Sequence, residues 1–246
     1  MNKRRGSRAL ALLVVLVLLL GVLSGCSAVG VTRGNGRMTS GSFSYSGSIT
    51  KIDISNMAAT LNITPKKSSE ITYSIDDNLK NLLEITHKNG VLKISTKNNR
   101  SISSDKIVFD ISADALEAVV VSGAAAIRGN GTFVAQSFAL DISGAGSVDL
   151  ALSAQSVSVD LSGAASISLS GTANKLNIDV SGAGEIHARN LIAQDATVKL
   201  SGAGTVQVHA EQKLNASSTG VGSVTYWGNP ELTSSTTGVS SIRRGN

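Results

Sequence analysis

Asp141, Asp160 and Asp179 stand 19 residues apart, and Lys199 follows 20 residues after the third. If the chain winds through one full coil per interval, these side chains stack about 4.8 Å apart, close enough for the carboxylates to repel. A hard cation such as Ca2+, which takes oxygen ligands, would relieve that repulsion. A solvated polar face with Lys199 neutralising one end accounts for the same residues without a metal. Glu185 and His187 lie two residues apart, on one side of an extended strand, with His209 further along the chain. A carboxylate beside an imidazole can move protons, yet exposed polar residues on a strand explain the pattern equally well. Tyr226 and Trp227 offer either a platform for a sugar ring or a cap for the end of a core. No Gly-x-Ser-x-Gly elbow, phosphate loop or His-Glu-x-x-His pair occurs in the sequence, and the Gly-rich stretches read as turns rather than phosphate cradles. No catalytic residue, metal ligand or cofactor site is therefore assigned.

One more reactive side chain remains. Cys26 is the only cysteine, which excludes an internal disulfide framework, and with three histidines a Cys/His zinc site has too few ligands to draw on. Its surroundings give it a different chemistry. Lys3, Arg4, Arg5 and Arg8 precede an apolar run of fifteen residues, 9–23, and Leu23-Ser24-Gly25 leads directly into the cysteine. Basic head and short apolar run make residues 1–25 a secretory signal, too short for a comfortable membrane span. The Leu-Ser-Gly-Cys junction resembles the lipobox of bacterial lipoproteins. That resemblance implies diacylglyceration of the Cys26 thiol, cleavage just before it and acylation of the new amino terminus. Two or more acyl chains anchor a protein stably without spanning the bilayer. An ordinary signal peptide with a stray cysteine, or an uncleaved anchor, is the alternative. Residues 26–48 then form the lipidated cysteine and a Gly/Ser-rich spacer, expected to be flexible.

The elements that position everything else lie in 49–246. From Ile49 apolar residues alternate with polar ones in short strands: Ile49–Ile54, Leu61–Ile63, Ile71–Ile75, Val91–Ile94, Ile107–Ile111 and Leu116–Val121. Asp76–Ile85 is read as an approach to a strand rather than a helix. The second half repeats. Ser122, Ser143, Ser162, Ser181 and Ser201 each open a Ser-Gly-Ala mark, and Thr219 and Thr237 open looser Thr-Gly-Val marks, at intervals of 18 to 21 residues. Five residues after every mark comes a β-branched aliphatic: Ile127, Val148, Ile167, Ile186, Val206, Val224 and Ile242. A unit of this length cannot bury its apolar face alone, whereas parallel stacking turns each column into a continuous internal ladder. The fold class is therefore all-β, a right-handed parallel β-helix with coils of about 18 to 21 residues, irregular over 49–121 and regular over 122–246. Each marked Gly fits a corner that needs either positive φ or close passage over the coil beneath. The Ser and Thr hydroxyls are placed to bond along the stack. Ser234, Thr236 and the final Arg243-Arg244 make the last coil polar, which blunts its open edge.

The Leu92-Lys-Ile94 strand, the apolar run into Val121-Ser122-Gly123-Ala124 and the serial Ser-Gly-Ala-Gly units resemble the head GIN domain family of adhesin-like bacterial proteins, over about residues 43–243. The resemblance implies a right-handed β-helix on an exported or lipidated protein with no established catalytic activity.

Composition narrows the partners. The formal charge is +5 from 22 Lys and Arg against 17 Asp and Glu, but four of those bases and no acid fall in 1–25, so the mature chain carries 18 against 17, or +1. With only 3% aromatics to stack on bases, nucleic acid is excluded as a partner. The expectation is a non-catalytic interaction module tethered to the cell envelope through Cys26, with membrane lipid as one partner and an envelope protein or glycan as another. The alternative is a carbohydrate-binding or polysaccharide-lyase-like β-helix with a Ca2+-dependent face of Asp141, Asp160 and Asp179.

Overall fold

A computed structural model describes residues 31–104 and 106–246. The signal segment 1–25 and Cys26 lie outside the described residues. The chain forms strands β1 (Thr32–Arg33), β2 (Met38–Ser44), β3 (Lys51–Ile54), β4 (Ala58–Thr64), β5 (Glu70–Asp76), β6 (Leu83–Lys88), β7 (Val91–Thr96), β8 (Ile102–Ser103), β9 (Val108–Ser112) and β10 (Ala118–Val121). Then come five long strands, β11 (Ala124–Ile142), β12 (Ala145–Leu161), β13 (Ala164–Val180), β14 (Ala183–Leu200) and β15 (Ala203–Ser218), followed by β16 (Val221–Trp227), β17 (Glu231–Thr236) and β18 (Val239–Arg244).

Each long strand runs from one mark to the next and pairs in parallel with the strand before and after it. The result is a parallel β-solenoid. Its register is the repeat read from the sequence: Ile127 pairs with Val148, Val148 with Ile167, Ile167 with Ile186, Ile186 with Val206, Val206 with Val224 and Val224 with Ile242. Residues 165, 167 and 169 point inward and so do 176, 178 and 180, but two successive residues, Asn174 and Lys175, are both exposed. That double outward step is a corner, and it resets the alternation so that both flanking segments still aim their aliphatics at the core. Leu161, Leu176, Val198 and Leu214 are 0% exposed, and burying each such side chain stabilises by about 1.5–3 kcal/mol.

At the regular marks the glycines resolve the choice between strained turn and close passage, whereas Gly238 in the last mark takes positive φ, 87°. Gly144, Gly163, Gly182 and Gly202 are not among the positive-φ residues. A Cβ on Gly163, however, would lie 1.9 Å from the carbonyl oxygen of Gly144, and one on Gly202 would lie 1.8 Å from that of Gly182. Glycine is required there because backbone passes over backbone. The neighbouring hydroxyls bond down the stack to carbonyls: Ser201 Oγ donates to Val180 O at 3.3 Å and Ser143 Oγ to Val121 O at 3.5 Å.

At the N-terminal end β4 lies under β11, β9 under β4, and β3 and β7 under β10, all parallel. These short strands continue the coils. Antiparallel strands then close the stack. β6 and β7 form a hairpin whose two-residue loop, Asn89-Gly90, takes positive φ at both positions (51° and 78°), the geometry of the twisted hairpin turn. A single 3-10 turn at Lys80–Leu82 leads into β6. β5 pairs antiparallel with β9 and with β2. The antiparallel strands interrupt the parallel repeat at this end of the stack.

β2 corrects the reading of 26–48 as flexible spacer throughout: Met38–Ser44 is a strand. Gly and Ser conceal a period-two pattern of anchors. Phe43 and Tyr45 pack on the core, Gly41 lies flat against the Tyr73 ring, and Tyr45 Oη donates to Ser112 O at 3.1 Å. Burial of the Tyr45 phenol, and secondarily the charge of Asp114, holds its pKa above the ordinary tyrosine value. The segment before β2 is tied down as well. Asp76, 3% exposed, accepts hydrogen bonds from the Gly36 N–H and from Ser104 Oγ.

At the far end the coil breaks between β16 and β17, where Pro230 supplies no N–H for a continuous ladder. The last inward positions, Ser234 stacked on Ala216 and Thr236 on Ser218, are polar and exposed.

Candidate functional site

The parallel register brings the three acidic residues into one row: Asp141 pairs with Asp160, Asp160 with Asp179, and Asp179 with Lys199. They form a straight file on an exposed face rather than a set converging on a point, and among the described residues no group of three or more His, Cys, Asp or Glu is placed to hold a metal ion. Asp160 sits in the middle of the file. Partial burial, then the flanking charges of Asp141 and Asp179, raise its carboxyl above the usual aspartate range. A carboxyl whose folded pKa lies above its unfolded one destabilises the fold at neutral pH, and the cost disappears as pH falls through the raised value. Like charges directly opposite in a sheet are destabilising. Asp160→Asn is therefore expected to raise thermal stability at pH 7 and low salt, by an amount that shrinks as salt screens the row. Melting curves of both proteins across pH and salt test this. A Ca2+-dependent rise in the wild-type melting temperature that the variant lacks would instead restore the cation reading.

Glu185 and His187 do meet, Nε2 to Oε2 at 3.2 Å, on the exposed surface of β14. His209 belongs elsewhere. It stacks on Ile192 and under Trp227 and bonds its own neighbour Glu211 at 2.9 Å. The two imidazoles thus serve two separate surface pairs, and the column that holds His187 is chemically mixed, running Arg128, Asp149, Ser168, His187, Gln207, Thr225, Arg243. Trp227 is engaged in closing the end of the solenoid. The Arg189 guanidinium carbon lies 4.4 Å from its ring centroid, its Nε1 donates to Asn246 O at 3.2 Å, and Gly245 packs against the ring.

A column that the sequence reading passed over has more uniform chemistry. Gln136, Gln155, Asn174, Gln194 and Gln212 each lie seven residues before a mark, and that fixed offset was the signal. Ala135 and Ser137 pair with Ala154 and Ser156, and these with Ala173 and Lys175, so the amides stand one above another at the corner. Asn174 Nδ2 donates to Gln155 Oε1, and Gln212 Nε2 to Gln194 Oε1 at 3.1 Å. Two residues upstream, or three on the last coil, a second outward column runs Val134, Ser153, Thr172, Ile192 and His209, with Ala135, Ala154, Ala173, Ala193 and Ala210 between the two and, where the register shifts on the last coil, Glu211 as well. The space between the columns is a trough of about 410 Å³ over the first three coils. A cleft of about 530 Å³ at the N-terminal end is lined by Arg33, Lys106 and Asp76, and its carboxylate is already occupied by the two donors named above.

Among the described residues no helix is long and apolar enough to cross a membrane. No curated protein matches the sequence. Solved structures do resemble the fold. A putative adhesin from Bacteroides fragilis superposes with a TM-score of 0.77 at 21% identity, covering 87% of this chain and 100% of that one. Two proteins from Parabacteroides distasonis, a putative lipid binding protein (TM-score 0.67, 21% identity) and a putative adhesin (TM-score 0.66, 22% identity), each cover 88% of this chain and 100% of their own. At these identities the likeness is one of fold. The family model described as "Putative auto-transporter adhesin, head GIN domain" matches residues 41–230, from within β2 to the residue before β17, and the chain belongs to that family.

Proposed function

We propose that the protein is an exported, lipid-anchored interaction module of the bacterial cell envelope, adhesin-like and non-catalytic. The observation that carries the reading is the position of the sole cysteine: Cys26 follows Leu23-Ser24-Gly25 at the end of a basic-headed apolar run. Acyl chains on Cys26 would hold the protein to membrane lipid, each buried methylene contributing about 0.8 kcal/mol. Membership of an adhesin-like family and a fold shared with proteins described as adhesins support a surface location. A rigid solenoid suits such a role, because it offers long flat faces on which side chains recur at fixed intervals. An envelope protein or a glycan is the partner class such a face would meet.

Cys26→Ala tests the anchor. Wild-type protein is expected to incorporate a palmitate analogue and to enter the detergent phase on phase separation. The variant is expected to do neither, while the domain keeps its β-rich circular dichroism. Unchanged partitioning of the variant would overturn the anchoring.

A further inference from the structure

The geometry points to the trough between the amide column and the Val134–His209 column as a binding site for an uncharged, extended polysaccharide. The inference rests on the interaction-module reading and names the partner for one face of it. The other outward columns with long side chains mix their chemistry, as the Arg128–Arg243 and Asp141–Lys199 columns show, while the uniform ones carry only small residues, such as the Ala124–Ala203 column and the serines of the marks. This one places a carboxamide on all five coils from β11 to β15. A column needed only for solubility would not be so restricted.

The carboxamides have hydrogen-bonding capacity to spare. Each offers two N–H donors and two acceptor lone pairs, and the ladder bonds Asn174 to Gln155 and Gln212 to Gln194 use only part of it. A sugar hydroxyl both donates and accepts, as an amide does. Opposite the amides stand Val134 and Ile192, 74% and 41% exposed, which suit the C–H face of a pyranose, and alanines between the columns add no bulk. The amides recur at about 4.8 Å, the strand spacing, so the row from Gln136 to Gln212 spans about 19 Å. One residue of an extended β-linked glycan advances by about one such rung. Successive sugars would therefore meet successive amides in the same way, which a peptide, with side chains of differing size, would not. Charge argues for a neutral chain. The next outward column alternates Lys175, Asp195, Lys213 and Glu231, so its field cancels and attracts neither a polyanion nor a polycation.

The test uses the full lipidated chain in neutral detergent, titrated with cellohexaose and xylohexaose as neutral linear probes and with a heparin hexasaccharide as the charged one. Saturable binding of a neutral probe is expected. It should weaken about tenfold or more in Gln155→Leu/Asn174→Leu, which removes two amides from adjacent coils, and in Thr172→Arg, which projects an exposed side chain into the trough from the opposite column. Gln207→Leu, in the mixed column, should leave it unchanged. Melting temperatures of all variants are read alongside. No saturable binding of either neutral probe, tighter binding of heparin, or binding that both trough variants retain would each overturn the proposal. So would an amide double variant that melts earlier and binds normally, since the amides would then be a structural ladder alone. None of these outcomes bears on partitioning through Cys26, so failure of the trough and failure of the anchor are read separately.

Discussion

Gly182→Ala is expected to destabilise the solenoid by about 3 kcal/mol or more, although it adds a single methyl group. The added Cβ would lie 2.0 Å from Gly163 O and 2.6 Å from Ser162 O. The nearer oxygen is not free to withdraw. Gly163 O accepts the Ala183 N–H at 2.9 Å, and Gly182 N–H itself donates to Leu161 O at 3.0 Å, so the methyl group falls within the rung that holds two coils together. Relief requires breaking that rung or spreading the stack, and spreading is resisted by the aliphatic ladder beside it. The column admits nothing larger, being glycine at 123, 144, 163, 182, 202, 220 and 238. Two residues on, the next column has a different constraint. Gly184 pairs with Ala165, Ala165 with Gly146 and Gly146 with Ala125, so the same corner accommodates a methyl group on two of these four coils. A Cβ on Gly184 would also start too close, 2.1 Å from Ala165 O, but Gly184→Ala should cost less than Gly182→Ala because the local backbone can move to the course Ala165 follows. Denaturant unfolding of both variants measures the contrast, and equal losses at the two positions would refute the close-passage account.

That contrast marks how far the sequence was legible. Regular coils announce themselves because each inward column is one chemical type at one offset, so Ile127, Val148, Ile167 and Ile186 could be stacked before any coordinates were known. The N-terminal cap could not be recovered in that way. A short strand alternates with period two whether its neighbour runs parallel or antiparallel, so nothing in Ile71–Ile75 distinguishes pairing with β2 and β9 from the start of another coil. β2 itself was hidden by its composition, since Gly41 is small because the Tyr73 ring lies against it and the serines that read as spacer are the strand's exposed alternate positions. At the surface the row of aspartates drew attention through its charge, whereas the amides, equally regular, carry none. Charge was the wrong criterion for a repeat: what singles out a column is departure from the mixture its neighbours show.

Position along the stack should govern the cost of identical substitutions within one column. Ile167 and Ile242 both stand five residues after a mark and point inward. Ile167 is 0% exposed, with Val148 on one side of it and Ile186 on the other. Ile242 has only Val224 to stack on and is partly exposed. A solenoid's stability is close to a sum over coils and the interfaces between neighbours. Removing side-chain volume between two interfaces weakens both and leaves a cavity that neither coil can close, at about 2–5 kcal/mol for Ile→Ala. At the last coil only one interface is lost, and its inward neighbours Ser234 and Thr236 already contribute little apolar area. Ile242→Ala should thus cost less than about 1 kcal/mol, in the range of surface changes. It should be felt mainly as faster hydrogen exchange in β18, whereas Ile167→Ala lowers the global unfolding midpoint. Similar midpoint shifts for the two variants would mean that the terminal coil is as strongly coupled as the central ones and that its polar lining does not isolate it.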